Sequence, residues 1–434
     1  MNLKNLKQLF SDKGCKRIYF KYLSPNDNSK NQVYLGGSFE ILNILPISEI
    51  RSEEAGDWNR ERFKASINFY WAEENGALYP APNTQLILYP KYPEVRFSGF
   101  LARCEKPPSE LMTQRLNKRV LFFGVSEDRK IIGYVTAPDS SLAAEIQNLC
   151  NLEEVGIFKI IETNSQIDNK EKLLNELFRI HQLEWINSKR LDKHGNIVPC
   201  DSSNCGGYTL EAELGITPNG YSEPDFLGWE IKQFGVSDFT KITSATITLM
   251  TPEPSDGIYK TEGPENFLRK YGYLDKNGRE DRINFGGIHK VGEKHPSTNL
   301  EMRLIGYDME SNKIRSSNGC IALIDQSGNQ AASWSFSSML LHWNKKHNQA
   351  CYVPSLSDKS EQRKYRYGNK VILGIGTDFQ LFLKQMNLGH IYYDPGIKME
   401  NVSKKPAIKR RSQFRIKSKY LNTLYKNSDI IELI

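Results

Sequence analysis

The stretch Ser222-Glu223-Pro224-Asp225-Phe226-Leu227-Gly228-Trp229-Glu230-Ile231-Lys232, SEPDFLGWEIK, sets three acids and a lysine among residues of strand type. Side chains alternate between the two faces of a strand, so Trp229 and Ile231 share one face and Glu230 and Lys232 the other. Pro224 ends the preceding segment, and Gly228 permits a tight turn or bulge that returns Asp225 to the side of Glu230. Two carboxylates near one strand end, with a lysine on the same face, meet the needs of Mg²⁺-assisted phosphodiester hydrolysis. Hard oxygen ligands hold the ion, which polarises the phosphate and lowers the pKa of a water. The lysine is a point charge that can orient the attacking water and offset charge on phosphorus. An ordinary surface hairpin with its charges in water carries the same residue types, and this spacing alone does not separate the two.

The upstream run Gly207-Tyr208-Thr209-Leu210-Glu211 shifts the balance. It adds a third acid, on an expected helix, fourteen positions before Asp225.

The chain has 434 residues, more than one typical core accommodates, so two or three domains are expected. Hydrophobic residues at 39% and charged residues at 25% describe an ordinary globular protein rather than a disordered one. The start, MNLKNLKQLFSDKGCKRIYF, lacks the apolar stretch of a signal peptide, and no apolar run approaches the roughly 20 residues of a membrane span. The seven cysteines are odd in number and scattered, and Cys200 and Cys205 do not have the spacing of a zinc knuckle. Reduced thiols and a cytoplasmic, bacterial location are expected.

Charge is unevenly spread. Residues 1–165 carry 21 Lys+Arg and 20 Asp+Glu, leaving 37 against 31 of the chain's 58 and 51 for the remainder. Residues 398–419 alone hold nine basic residues and one acid. Such a basic stripe is the footprint of a polyanion binder, although a solvated tail has the same composition.

Short β-branched and aromatic runs punctuated by Pro, Gly and Asn fill the first part: 17–23, 66–71, 85–89, 120–125 and 130–135. They predict a small barrel or sandwich, with a helix over 141–150. A polar break at 162–168 marks the domain boundary. Asp168 and Glu171 have the spacing of a capping box, opening a helix in which Leu174, Phe178, His181 and Trp185 recur at helical spacing. His181 reads as a satisfied packing histidine. The second part mixes helices and strands, with strands expected at 246–250, 302–307 and 320–325 and a helix at 336–346.

The run GYTLEAELGITPNGYSEPDFLGWEIK resembles the catalytic core of MvaI/BcnI-family restriction endonucleases, and more distantly the mismatch-repair nicking enzyme MutH, all PD-(D/E)XK nucleases. The resemblance implies that Asp225, Glu230 and the Ile231 carbonyl bind Mg²⁺, that Lys232 serves the water, and that Glu211 is an outer acid. Glu213 and Glu223 have no implied role. The similarity continues through ITLMTPEPSDGIY, FLRKYGYLDKNGRED and ASWSFSSMLLHW to Lys364–Tyr367 and Gln413–Ile416. It implies DNA contacts at Lys409, Arg410, Arg411 and Arg415. Where the family places histidines before Phe-Arg-Ile this chain has KRRSQ, and Arg and Lys favour guanine N7/O6 or phosphates.

The amino-terminal half is similar to the effector domain of EcoRII in Phe20–Asp27, Asn31–Val33, Pro93–Gly99 and Ile131–Ile146. That resemblance implies a DNA-binding pseudobarrel with two arms, Lys21, Asn26 and Gln32 on the first and Glu94, Arg96 and Ser98 on the second. The expected organisation is therefore a mostly-β pseudobarrel domain over 1–165, followed by an α/β PD-(D/E)XK restriction-endonuclease-like domain over 166–434. The expected function is Mg²⁺-dependent type II restriction of double-stranded DNA at a short G/C-rich CCNGG-type site, leaving 5′-phosphate and 3′-hydroxyl ends. The implied partner is a methyltransferase acting on the same site; a membrane is not expected, and the enzyme would be a monomer. An endonuclease directed at modified DNA, and a DNA-binding regulator that no longer cuts, are the other classes compatible with these motifs.

Overall fold

The computed structural model describes residues 1–25, 31–54, 61–91, 94–163, 169–202, 204–217, 225–359 and 362–434. The expected roles of Asn26 in binding, of Asp168 in capping and of Pro224 in ending a segment fall outside these residues, as does Glu223. Two compact units divide the chain, Met1–Gln166 and Ile167–Ile434.

The first unit is built on two sheets. Seven strands run in the order Glu154–Val155, Phe158–Glu162, Arg17–Leu23, Arg119–Val125, Ile131–Thr136, Phe69–Ala72 and Leu78–Pro80. Five run in the order Val33–Tyr34, Glu94–Ser98, Gln85–Tyr89, Arg62–Ile67 and Ile47–Glu53. Alternation decides which residues go inward: Ile18 and Phe20 join Phe122 and Ile132 in a core with Leu6 and Phe10 of helix Leu3–Asp12 and Leu142 and Ile146 of helix Ser141–Gln147. Between the sheets, Phe69 and Phe123 meet Phe97, with ring centroids 5.1 and 5.3 Å from it. Such edge-on aromatic packing adds to the area that the rings bury.

No closed barrel forms among the described residues, because the edge strands of each sheet do not pair with one another. The single strand expected at 66–71 is two, Arg62–Ile67 and Phe69–Ala72. They serve different sheets, so the chain changes partners at Asn68. The helix expected to reach 150 ends at Gln147.

The second unit is centred on a six-stranded sheet. Strand Gln349–Asp358 pairs antiparallel with Lys370–Ile375 and Lys364–Tyr367, and parallel with Glu230–Gly235. Lys370–Ile375 pairs in turn with the carboxyl-terminal strand Asn427–Glu432. Helix Asn169–Gln182 covers the sheet with Leu173, Leu177 and Ile180, while Leu174 and Phe178 are partly buried beside them. Trp185 lies beyond the helix end and is exposed, so the apolar stripe is rotated by one position from the one expected. His181 does pack as a satisfied histidine, its Nδ1 2.8 Å from the Tyr367 carbonyl. The strand expected at 302–307 is interrupted at Gly306, whose φ of +77° takes it out of the ladder.

The cysteines depart from expectation. Cys200 and Cys205 are joined in a disulfide, with Cα atoms 5.7 Å apart. The chain turns back between strand Ile197–Pro199 and helix Cys205–Glu213, bringing two cysteines five apart within bridging reach. The other five are free.

Candidate active site

The stretch from Asp225 to Lys232 forms a hairpin leading into a strand. Phe226 and Trp229 exchange backbone hydrogen bonds at 3.0 and 2.8 Å around Leu227 and Gly228, both of positive φ. Paired positive φ values define the two-residue turn that matches strand twist, and glycine takes the second place without Cβ strain. The turn swings Asp225 back over the start of strand Glu230–Gly235, where its Oδ2 accepts the Ile231 amide at 3.0 Å.

The strand then sorts its side chains. Trp229 and Ile231 are buried in the core of the second unit, against Leu210, Cys351 and Val353 among others. Glu230 and Lys232 share the other face, with the Lys232 ammonium 2.9 Å from Glu230 Oε1. Glu230 is only 3% exposed, and its Oε2 has no hydrogen-bond partner. A buried carboxylate oxygen left in that state is costly, and a bound cation is one group that would satisfy it.

Helix Cys205–Glu213 supplies Glu211. It is clamped by Thr209, fully buried, whose hydroxyl bridges the Lys189 amide and carbonyl at 3.1 Å each. The Tyr367 hydroxyl donates to the Gly206 carbonyl at 2.7 Å. A Cβ on Gly206 would lie 2.8 Å from Gln233 Oε1, so glycine sets how closely the helix approaches the strand. Glu213, two residues on, is in an ion pair with Lys189.

The acids act on one another. Burial, followed by the charges of Asp225 and Glu230, pushes the Glu211 carboxyl up to about 7. Burial, followed by the charge of Glu230, pushes Asp225 up to about 6, while the Ile231 amide pulls it back. Burial and like charge together disfavour the ionised form of both carboxyls, and a nearby positive charge would offset that cost. Among the described residues, however, no three His, Cys, Asp or Glu side chains converge as a metal-binding group. The fitting donor set is smaller: two carboxylates and a carbonyl suit Mg²⁺, which keeps water and takes substrate phosphate oxygens for its remaining positions.

One residue at the site carried no signal in the sequence. Lys346, on helix Phe336–His347, places its ammonium 3.7 Å from Glu230 Oε1. Its helix was legible, but no motif singles out a lysine 114 positions after Lys232.

The DNA-contact candidates fall into two groups, one in each unit. In the second, Lys409, Arg410 and Arg411 are exposed at and just beyond strand Ala407–Lys409. Lys409 lies 3.6 Å from Glu400. Arg415 is half-buried on strand Phe414–Lys417, with its Nη1 2.6 Å from Asp394 Oδ2. In the first, strand Glu94–Ser98 sets Glu94, Arg96 and Ser98 on one face. Arg96 pairs with Glu94 at 3.0 Å and reaches Gln32 at 3.4 Å. Lys21 donates to the Tyr34 carbonyl, and Tyr34 lies opposite Arg96 in the ladder. Burial pushes the Lys21 ammonium down to about 8.

Comparison with known proteins assigns the class to which this chain belongs. The model of the MvaI/BcnI restriction endonuclease family matches residues 174–425. The chain belongs to that family. It is a restriction endonuclease, a site-specific deoxyribonuclease acting on DNA. Among solved structures it is similar to the complex of restriction endonuclease MvaI with cognate DNA substrate, at 19% identity over 61% of this chain and 99% of that one, with a TM-score of 0.46. The corresponding figures for MvaI in the absence of DNA are 18%, 62%, 100% and 0.34. No curated protein matches the chain. No helix among the described residues is long and apolar enough to cross a membrane.

Proposed function

We propose that the chain is a type II restriction endonuclease that cuts double-stranded DNA with Mg²⁺ at the site built from Glu211, Asp225, Glu230, Ile231 and Lys232. The observation that carries this reading is the buried, unpartnered Oε2 of Glu230, beside two carboxyls raised by burial and mutual charge. Asp225, Glu230 and the Ile231 carbonyl would hold the cation. When bound, it polarises the scissile phosphate and lowers the pKa of a nearby water.

The chain's own groups do the rest. Lys232 leaves Glu230 to orient the attacking water and to offset charge on the phosphorus. Glu211, its carboxyl raised to about 7, is poised to take up a proton near neutral pH as an outer acid. Trp229 and Ile231, locked in the core, keep the working face from shifting. In-line attack on phosphorus leaves 5′-phosphate and 3′-hydroxyl ends.

Lys409, Arg410, Arg411 and Arg415 would contact DNA, Arg415 already oriented by Asp394. The departure from histidine to arginine and lysine favours guanine edges, which suits a short G/C-rich site of CCNGG type. The first unit would act as an EcoRII-type effector or recognition module of pseudobarrel type, using Lys21, Asn26, Gln32, Glu94, Arg96 and Ser98. The arrangement as a whole resembles the restriction endonuclease UbaLAI. A methyltransferase of the same site, a monomeric enzyme and a cytoplasmic setting complete the reading. The test is digestion of unmethylated plasmid and genomic DNA with Mg²⁺ or EDTA, followed by run-off sequencing of the ends. Metal-dependent cuts at one short G/C-rich sequence are expected; cutting that persists in EDTA, or only of methylated DNA, refutes it.

A further inference from the structure

Two ammonium groups converge on one buried carboxylate oxygen. Glu230 Oε1 lies 2.9 Å from Lys232 Nζ and 3.7 Å from Lys346 Nζ, whereas Oε2 has no partner. Lys232 belongs to the strand that carries Glu230, but Lys346 is delivered from elsewhere in the fold. It sits in the last turn of helix Phe336–His347, and neighbouring packing fixes that turn. The His347 ring stacks on Trp343 with centroids 4.0 Å apart, and its Nε2 lies 3.2 Å from the Leu249 carbonyl. Trp343 in turn donates to the Thr377 hydroxyl at 3.1 Å. The helix end is thus pinned, while the Lys346 side chain, at 27% exposure, keeps access to solvent at the mouth of the site.

Resting on the proposed active site, we infer that Lys346 is a second catalytic lysine. In the DNA-free enzyme its ammonium is a counter-ion to Glu230. When DNA and the cation arrive, it moves from Glu230 to a non-bridging oxygen of the scissile phosphate. A divalent cation on Glu230 repels a neighbouring ammonium, and the phosphate brings new negative charge within reach of the freed side chain. Lys346 neither gives nor takes a proton in this step: the water oxygen bonds to phosphorus and releases a proton to solvent, the bond to the 3′-oxygen breaks and that oxygen takes a proton from solvent, and the ammonium only offsets charge on the phosphoryl oxygens.

The test compares Lys346→Met, Lys346→Arg and Asp225→Ala in the full chain. Single-turnover cleavage by K346M should fall about 100-fold, with K346R recovering most of the loss because it keeps the charge. Without DNA, calorimetric titration with Mn²⁺ should show K346M binding the ion about tenfold tighter than wild type, since a competing cation is gone, and K346R unchanged. A folding defect weakens metal binding rather than strengthening it, so the Mn²⁺ readout separates the two. Wild-type cleavage by K346M, or equal loss in both variants with Mn²⁺ affinity unaltered or weakened, overturns the inference. If D225A cleaves like wild type, the active-site reading itself has failed; if D225A is dead and K346M is not, only the role of Lys346 has.

Discussion

The backbone amide of Ile231 donates to Oδ2 of Asp225 at 3.0 Å, so the second carboxylate of the site is held by the backbone of the strand that carries the first. The turn at Leu227–Gly228 makes this bond possible, and it couples the conformation of an exposed glycine to the position of a proposed catalytic acid. The space around Gly228 is open, so the constraint there is φ = +86° and not crowding.

Gly228→Ala is therefore expected to cost about 1 kcal/mol of stability through left-handed strain. Its effect on cleavage should exceed that on folding, because Asp225 loses its alignment. Paired urea melts and single-turnover rates measure both; a rate that falls no further than the stability change explains would break the link.

Asp225→Ala or Lys232→Ala should remove cleavage, by about 1,000-fold or more, while DNA binding stays close to wild type. Plasmid nicking and a filter-binding titration in Ca²⁺ provide the two readings. Full nicking activity in either variant would sink the assignment of these residues.

The raised acids give the metal-free protein a pH signature. Glu211 and Asp225, raised to about 7 and about 6, hold protons in the folded chain that an unfolded chain has already lost above the ordinary carboxylate range near 4. Their contribution to stability is complete below that range and disappears as pH rises through 6 and 7. In EDTA, Tm should therefore be higher at pH 5 than at pH 8, the gap should narrow in Glu211→Gln, and Mg²⁺ should raise Tm at pH 8. An unchanged gap in the variant speaks against the coupling.

Replacing Lys409, Arg410 and Arg411 together with alanine should weaken DNA binding across all sequences. It should also make the slope of log K against log salt shallower by about 2 to 3, if each side chain neutralises one phosphate. A loss confined to the cognate site with no change of slope would instead assign them to base edges.

The Cys200–Cys205 bridge should be detectable by mass. Alkylation of the unfolded, unreduced chain should label the five free cysteines, and prior reduction should expose all seven. For so short a loop, reduction should cost about 2 kcal/mol, read as a fall in Tm. Labelling of seven thiols without reductant would contradict the bridge.

By itself the sequence determined the local chemistry of this protein. Period-two alternation placed Trp229 and Ile231 in the core and Glu230 with Lys232 on the working face, and the glycine at 228 marked the turn that returns Asp225. These features depend on neighbours in the chain, so residue type and spacing are enough to read them. Only the tertiary structure decided what depends on distant partners. It brought Lys346 to Glu230 across 116 positions, split the 66–71 run between two sheets, left those sheets unclosed where a barrel or sandwich was expected, and closed Cys200 onto Cys205. It also rotated the stripe of helix Asn169–Gln182 so that Leu173, Leu177 and Ile180 face the sheet. Helical periodicity fixes which residues share a face, but the core that the helix meets decides which face is buried.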